Sequence, residues 1–180
     1  MKDTEKNRLL RESEIGIWID NYDDIFSDFD PRPYSQRSIS QDFLNETKKA
    51  SRDKVSGDIE IKFLVPKKMR NLKEETVVKK RLREHFRDHT KKLRKERMKI
   101  LREGGLFFVL GIIFMVFATF ILVQDDPRFI IKILGVFFEP GGWFFFWQGL
   151  DLMIFRIKEE TPDFEFYKKI STADIIFNTY

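Results

Sequence analysis

An acidic stretch near the amino terminus holds the densest group of side chains that can ligate a metal ion. Residues 22–34 read YDDIFSDFDPRPY, and carboxylates at this density can bind Mg²⁺ or Ca²⁺ through oxygen. The stretch has neither the glycine nor the terminal glutamate of a calcium-binding loop. We therefore expect no metal, and instead a turn in which aspartates accept from local backbone N–H groups and Arg32 pairs with a carboxylate. The four aspartates are Asp23, Asp24, Asp28 and Asp30.

Arg83 and His89 are the second candidate for chemistry. Their spacing is similar to the Arg-x4–6-His pattern of HEPN-type ribonucleases, and the resemblance would imply RNA cleavage with the histidine in acid–base chemistry. A helix this rich in arginine meets a spaced histidine by chance. The apolar stripe beside His85 and His89 favours packing for both rings. We predict no catalytic residue and a non-enzymatic protein, with RNA cleavage as the weaker alternative.

Composition excludes several other chemistries. The 180 residues include no cysteine and two histidines, so thiol catalysis, iron–sulfur clusters and thiolate zinc sites are excluded. The sequence has no phosphate-binding glycine loop, no dinucleotide fingerprint and no Gly-x-Ser-x-Gly elbow. We predict no cofactor and no metal site, and we find no internal repeat.

One segment predicts a membrane span. Residues 105–123 contain no charged side chain, and 19 residues of helix cover about 28 Å, close to the thickness of the hydrocarbon core. Twelve of the 20 phenylalanines fall between residues 105 and 155. Apolar sequence resumes after a short acidic turn, so the two segments, 105–123 and about 129–155, predict a transmembrane hairpin.

The second apolar segment carries the candidate membrane site. Pro140 lacks a backbone N–H and is followed by two glycines, which predicts a helix break near residues 139–142. One layout starts a spanning helix at Pro140, and the other kinks a single helix over residues 129–147. We favour the first, because it keeps a carboxylate out of lipid. The candidate residues are Glu139, Pro140, Gly141, Gly142 and Trp143.

Charge asymmetry predicts the orientation of the hairpin. Residues 72–103 contain 13 Lys or Arg against six Asp or Glu, and basic flanks stay on the cytoplasmic side of a membrane. We therefore expect a multi-pass protein of the cytoplasmic (inner) membrane with both termini in the cytoplasm. The basic helix is either a solvated helix whose cations only fix the topology or a contact surface. For a contact surface, lipids are the expected partner and nucleic acid is the less favoured one. The expected contacts to lipid headgroups or phosphate are Lys91, Lys92, Arg94, Lys95, Arg97, Lys99 and Arg102.

The remaining sequence predicts a small α/β domain. Alternating apolar residues predict strands at 14–20 and 58–65, joined by a helix that Ser38 caps and that ends near residue 51. Residues 55–57 form the turn into the second strand. Asn71 caps a long helix that ends near Gly104 and Gly105, with an apolar face that includes Val78, Leu82 and Phe86. Residues 173–180 predict a strand that returns to the sheet, and adjacent strands at 14–20 and 58–65 would be parallel.

Three segments give the chain a family resemblance. FSDFDPRP at residues 26–33, the following ISQDFLNE, and EPGGWFFFWQGLD look like segments of small uncharacterised prokaryotic proteins with two transmembrane helices. The resemblance implies a prokaryotic membrane location and no activity.

The sequence thus predicts an α+β membrane protein in four parts. These are a cytoplasmic strand–helix–strand unit (1–70), a basic juxtamembrane helix (71–104), a transmembrane hairpin (105–155) and a cytoplasmic tail (156–180). We expect a non-enzymatic interaction or regulatory protein that self-associates and binds a protein partner. The main alternative is an oligomeric pore or toxin-like membrane effector in which Glu139 lines the path.

Overall fold

The structure is a computed structural model that describes residues 14–52, 60–124 and 128–179. Its helices are α1 (Gln41–Arg52), α2 (Leu72–Gln124), α3 (Phe129–Asp151) and α4 (Ile157–Ser171), with a π-helical segment at Leu152–Arg156. Its strands are β1 (Glu14–Trp18), β2 (Glu60–Val65) and β3 (Asp174–Thr179). The chain divides into a sheet unit, residues 1–91 with 164–180, and a helical unit, residues 92–163.

The sheet unit is built on three parallel strands in the order β1-β2-β3. The predicted strand at the carboxyl terminus is confirmed, and it pairs along the whole length of β2. Phe63 in the central strand lies opposite Ile17 on one side and Phe177 on the other. Alternate side chains of β2 are therefore buried, which is the pattern that the period of two predicts.

Helices cover one face of this sheet and complete the core. The predicted apolar face of the long helix is confirmed, since Val78, Leu82 and Phe86 are fully buried. Asn71 caps α2, because its side-chain oxygen accepts from the N–H groups of Lys73 and Glu74 at 3.1 and 3.5 Å. Phe43 of α1 stacks on Phe63 at a ring-centroid distance of 5.9 Å.

Two predicted boundaries of the sheet unit differ from the structure. Helix α1 begins at Gln41, so Ser38 is not its cap. The N–H of Ser38 instead donates to Asp30, because the acidic loop closes back on itself before the helix starts. The predicted turn at residues 55–57 lies outside the described residues.

The helical unit lacks both predicted interruptions. Helix α2 continues through Gly104 and Gly105 to Gln124, and α3 continues through Pro140, Gly141 and Gly142. The predicted end near residue 104 and the predicted break near residues 139–142 are therefore wrong. Buried Gly142 contacts α2, and such packing favours the helical backbone where isolated Pro and Gly would weaken it. The irregularity lies further on, in the π-helical segment.

Each of the two long helical stretches contains a segment whose exposed side chains are apolar. Both α2 and the helical stretch from residue 129 to 171 are long and apolar enough to cross a membrane by length and composition. In each, only 11% of the most apolar 18-residue window is buried. Large side chains such as Val116, Phe120 and Phe144 are 61–63% exposed, whereas the core helix of a soluble protein buries such groups.

We predict that removing the ring of Phe177 destabilises the sheet unit by about 3–5 kcal/mol. Phe177 is 4% exposed and stacks on Phe63 at 5.0 Å, so truncation leaves a cavity beside the central strand. Unfolding of full-length Phe177→Ala by denaturant in detergent would be followed through Trp18, with Trp143 and Trp147 changed to Phe.

Phe29→Ala provides the matched control, because Phe29 is 98% exposed and its loss should cost under about 0.5 kcal/mol. Equal midpoints for Phe177→Ala and Phe29→Ala would contradict the docking of the terminal strand.

Candidate functional site

The acidic loop is closed by its own carboxylates and cations. Asp30 accepts from Arg32 Nε and Nη2 at 2.9 and 2.7 Å and from the N–H of Ser38 at 2.7 Å. The hydrogen bonds from Arg32, and then that from the Ser38 N–H, hold the pKa of Asp30 well below its ordinary range. The predicted pairing of Arg32 with a carboxylate is confirmed.

Two other aspartates of this loop also serve the fold. Asp23 forms an ion pair with Arg37 and accepts from the Tyr34 hydroxyl at 3.2 Å. Asn21 caps the short 3-10 turn Tyr22–Ile25, and the carboxylate of Asp24 accepts from the N–H of Asn21 at 3.1 Å to complete a capping box. Among the described residues, no group of three or more His, Asp or Glu side chains is arranged to hold a metal ion. The loop chemistry is that of turns.

Arg83 and His89 have separate neighbours. The Arg83 guanidinium lies 3.4 Å from the carboxylate of Asp174 at the start of β3. His89 stacks on Tyr167 of α4, with 4.4 Å between ring centroids. No contact in the described part of the chain joins the two side chains.

The two histidines instead form part of an aromatic cluster. His85 stacks on His89 at 5.3 Å, and the neighbouring Phe86 meets Phe166 of α4 edge to face at 6.4 Å. The Nε2 atom of His85 is buried and has no hydrogen-bond partner among the described residues. Burial, helped by the nearby charges of His89 and Arg81, lowers the pKa of His85 to about 4. The cluster thus joins α2 to α4 through a histidine that is held neutral.

Glycines bring α2 and α3 into backbone contact. A Cβ atom at Gly111 would lie 2.5 Å from the backbone nitrogen of Phe146, and one at Gly149 would lie 2.5 Å from that of Phe108. Gly104 and Gly142 face the other helix in the same way, toward Met153 and Met115. Small residues permit this close approach of helices, and larger ones would push the backbones apart.

These contacts follow an internal repeat that the sequence analysis missed. The repeat is Gly-x3-Phe-x2-Gly-x3-Met, and it occurs at residues 104–115 and again at 142–153. Each contact has a counterpart 38 residues later, so Gly104 with Met153 corresponds to Gly142 with Met115. The two antiparallel helices therefore meet through equivalent surfaces. Only five of twelve positions are identical, but the equal spacing of the glycine pairs was a usable signal.

The candidate membrane residues divide between the inside and the outside of the hairpin. Gly142 is buried at the helix contact, and Gly141 packs against Phe114. Trp143 is 52% exposed and stacks on Trp147 at 6.5 Å. Glu139 and Pro140 are exposed in the interior of α3, so Glu139 is not at a helix start as the favoured layout required.

Glu139 shares a surface cavity with a cation. The cavity has a volume of about 330 Å³, and residues of both α2 and α3 line it. Lys132 lines it two helical turns from Glu139, and the remaining walls are apolar. Neither charged group has an ion pair within the described part of the protein.

The basic helix presents its charges to solvent. Six of the seven predicted contact residues are exposed, and Arg97 is half-buried. Three of the lysines form ion pairs of 3.7–4.0 Å with acidic residues three or four positions away along α2. Such pairs contribute little, so these three lysines remain available to an external anion. They are Lys91, Lys92 and Lys99, and the full set of predicted contact residues also includes Arg94, Lys95, Arg97 and Arg102.

Comparison with known proteins yields no match to this chain, whether with protein-family models, curated proteins or solved structures.

We predict that Gly111→Leu separates α2 from α3. The added side chain meets backbone at Phe146, which cannot move aside as a flexible side chain can. Because the chain has no cysteine, cysteines placed at residues 107 and 145, where the rings stack at 5.8 Å, can be crosslinked by a short bifunctional maleimide. Crosslinking within the chain should fall at least several-fold in Gly111→Leu.

Gly105→Leu is the matched control for that crosslinking experiment, since nothing lies within 4 Å of its Cβ position. Undiminished crosslinking in Gly111→Leu would refute the backbone contact.

We predict that acid weakens the sheet unit through His85. Its folded pKa of about 4 lies below its ordinary value of 6.5, so the neutral ring contributes stability above pH 6.5, and that stability is lost as pH falls from 6.5 toward 4. His85→Phe keeps a ring but cannot be protonated. The denaturant midpoint reported by Trp18 should drop less between pH 7 and pH 5 in His85→Phe than in the parent, and equal drops would disprove the role of His85.

Proposed function

We propose that this protein is a two-pass membrane anchor that carries a small α/β interaction or regulatory domain and is not an enzyme. One observation carries the proposal. The helices of the hairpin are closed against each other by glycine contacts, while large apolar side chains cover the outside. An apolar exterior of this extent is stable in lipid and costly in water.

The basic residues of α2 support an orientation for this anchor. They precede the apolar half of the helix, and short basic flanks remain in the cytoplasm. In this arrangement both termini are cytoplasmic and the membrane is the cytoplasmic (inner) one. Anionic lipid headgroups are the partner that the residues from Lys91 to Arg102 would attract, at about 1 kcal/mol for each cation near the surface.

Self-association and a protein partner complete the proposal. The three parallel strands have helices on one face, and parallel sheets in proteins are usually covered on both. Leu64 and Ile176 alternate with the inward-facing residues and are half-buried, and Trp18 on the same face is 60% exposed. A domain with an exposed apolar sheet face of this kind suits the binding of a protein partner.

We predict that a cysteine at position 128 reacts with a membrane-impermeant maleimide added to intact cells, whereas one at position 171 does not. Arg128 caps the start of α3, at the end of the hairpin that faces the outside in this topology, and Ser171 ends α4 next to β3, which is cytoplasmic in this topology. The cysteine-free parent gives no background. Both positions should react after the cells are opened, and labelling of position 171 in intact cells would contradict the topology.

A pore is the second candidate, and the cavity beside Glu139 favours it. The glycine contact leaves no path inside one hairpin, so a path would run between copies, with Lys132 and Glu139 facing it. Ion flux through liposomes that contain the purified protein, reduced by Glu139→Ala but not by exposed Glu46→Ala, would support a pore. Absence of flux with the parent protein would leave the anchor.

A further inference from the structure

A rigid knob projects from the sheet unit at the tip of the acidic loop. Phe29 is 98% exposed, more than any other large apolar residue of the described chain, and Asp28 beside it is exposed and has no ion pair within the described residues. Aromatic side chains such as phenylalanine are enriched at protein interfaces, so an exposed ring of this size is a candidate contact residue. We refer to Asp28 and Phe29 as the tip.

The loop below the tip is firmly held. An antiparallel bridge joins Phe26 to Ile39, and the N–H of Ser27 donates to the carbonyl of Ser38 at 2.9 Å. A tight turn follows, in which the N–H of Asp30 returns to the carbonyl of Ser27 at 3.2 Å. The paired Asp30 and Arg32 fix the far side of the turn. A loop that is already ordered loses little conformational entropy when it binds. Binding through Phe29 therefore carries a small entropic cost.

A groove on α2 in the same unit has the complementary chemistry. It measures about 330 Å³ and is bordered by four cations and one acid. The aliphatic stems of the long side chains give it apolar walls, and its charged ends favour both a carboxylate and the face of an aromatic ring. Its lining residues are Thr76, Lys79, Lys80, Arg83, Glu84 and Arg87.

The groove cations are weakly engaged within the chain. Lys80 lies 4.0 Å from Glu84, and Arg83 lies 3.4 Å from Asp174. In these two ion pairs, every side chain is more than half exposed. Exposed pairs of this kind are worth under about 1 kcal/mol and can exchange for contacts with another molecule. Lys79 already lies 5.6 Å from the centre of the Phe177 ring, so this helix face accepts an aromatic partner for its cations.

We propose that the acidic–aromatic tip of one copy inserts into the basic groove of a second copy. The inference rests on the self-association in the proposed function and assigns its surfaces. The tip and the groove carry opposite charges, and the Phe29 ring can lie against the cations of the groove. These features favour the tip of a second copy as the occupant over a basic or purely apolar segment. Because tip and groove are unlike surfaces, a two-fold dimer would make the contact twice and a ring once for each copy.

The contact is tested by reversing the charge of the tip in one variant and of the groove in another. Association is measured between differently tagged full-length copies in mild detergent. Phe29→Ala should weaken association about 30-fold, as loss of an anchor residue does, and Phe29→Tyr should retain it. Asp28→Lys alone and Lys80→Glu/Arg87→Glu alone should each fail to self-associate. Mixed together, these two variants should associate again, because every tip then meets a groove of opposite charge.

Lys67→Glu/Lys68→Glu is the matched control, since both side chains are exposed in the same unit and the change in net charge is the same. An unchanged Trp18 unfolding midpoint would show that the variants fold. If Phe29→Ala and both charge variants associate as well as the parent does, the proposed contact is wrong, although self-association still stands. A monomeric parent would refute both.

Binding of an anion to the groove gives a different pattern. The probes are inorganic phosphate and vesicles of anionic lipid, tested with the parent, the groove variant and Phe29→Ala. If the groove binds the tip of a second copy, we expect these three proteins to bind equally in each assay. Loss of phosphate or vesicle binding in the groove variant alone, with association intact, would assign the groove to a phosphate group and overturn the proposal.

Discussion

The backbone contact between two helices is the constraint on which the rest of this structure depends. Gly111 and Gly149 leave no room for a Cβ atom, so the inner faces of α2 and α3 are used up within the hairpin. The large apolar side chains then lie on the outside of the hairpin, where many are more than half exposed. The proposed membrane anchoring, and the proposed location of any path between copies, rest on this packing.

The sheet unit is closed by both ends of the chain. Residues 92–163 form the helical unit, which interrupts the sheet unit in sequence, and β3 then pairs along the full length of β2. Phe63 lies in the central strand and needs a neighbouring strand on each side to be buried. Pairing of β2 with β1 alone, or with β3 alone, would not bury it. The hairpin is thus an insertion into a small domain.

The sequence predicted the parts of the fold that have a clear period. The strand at residues 60–65 has apolar side chains at alternate positions, and Val78, Leu82 and Phe86 follow the helical period, so their burial could be foreseen. The strand at residues 174–179 was predictable from its β-branched and aromatic content. Local rules failed where packing decides. Pro140 and Gly142 argue for a break when read alone, but contact with α2 holds the helix together. The knob at Phe29 was also invisible, because exposure depends on how the whole loop closes.

Retention in the membrane tests the central claim most directly. The full chain would be expressed, the cells lysed, and the membranes sedimented and washed with alkaline carbonate, which removes peripheral proteins and leaves spanning ones. The account predicts that the protein stays in the washed pellet and is released by detergent. Protein that remains in the supernatant of the first sedimentation, or is stripped by the wash, would contradict it.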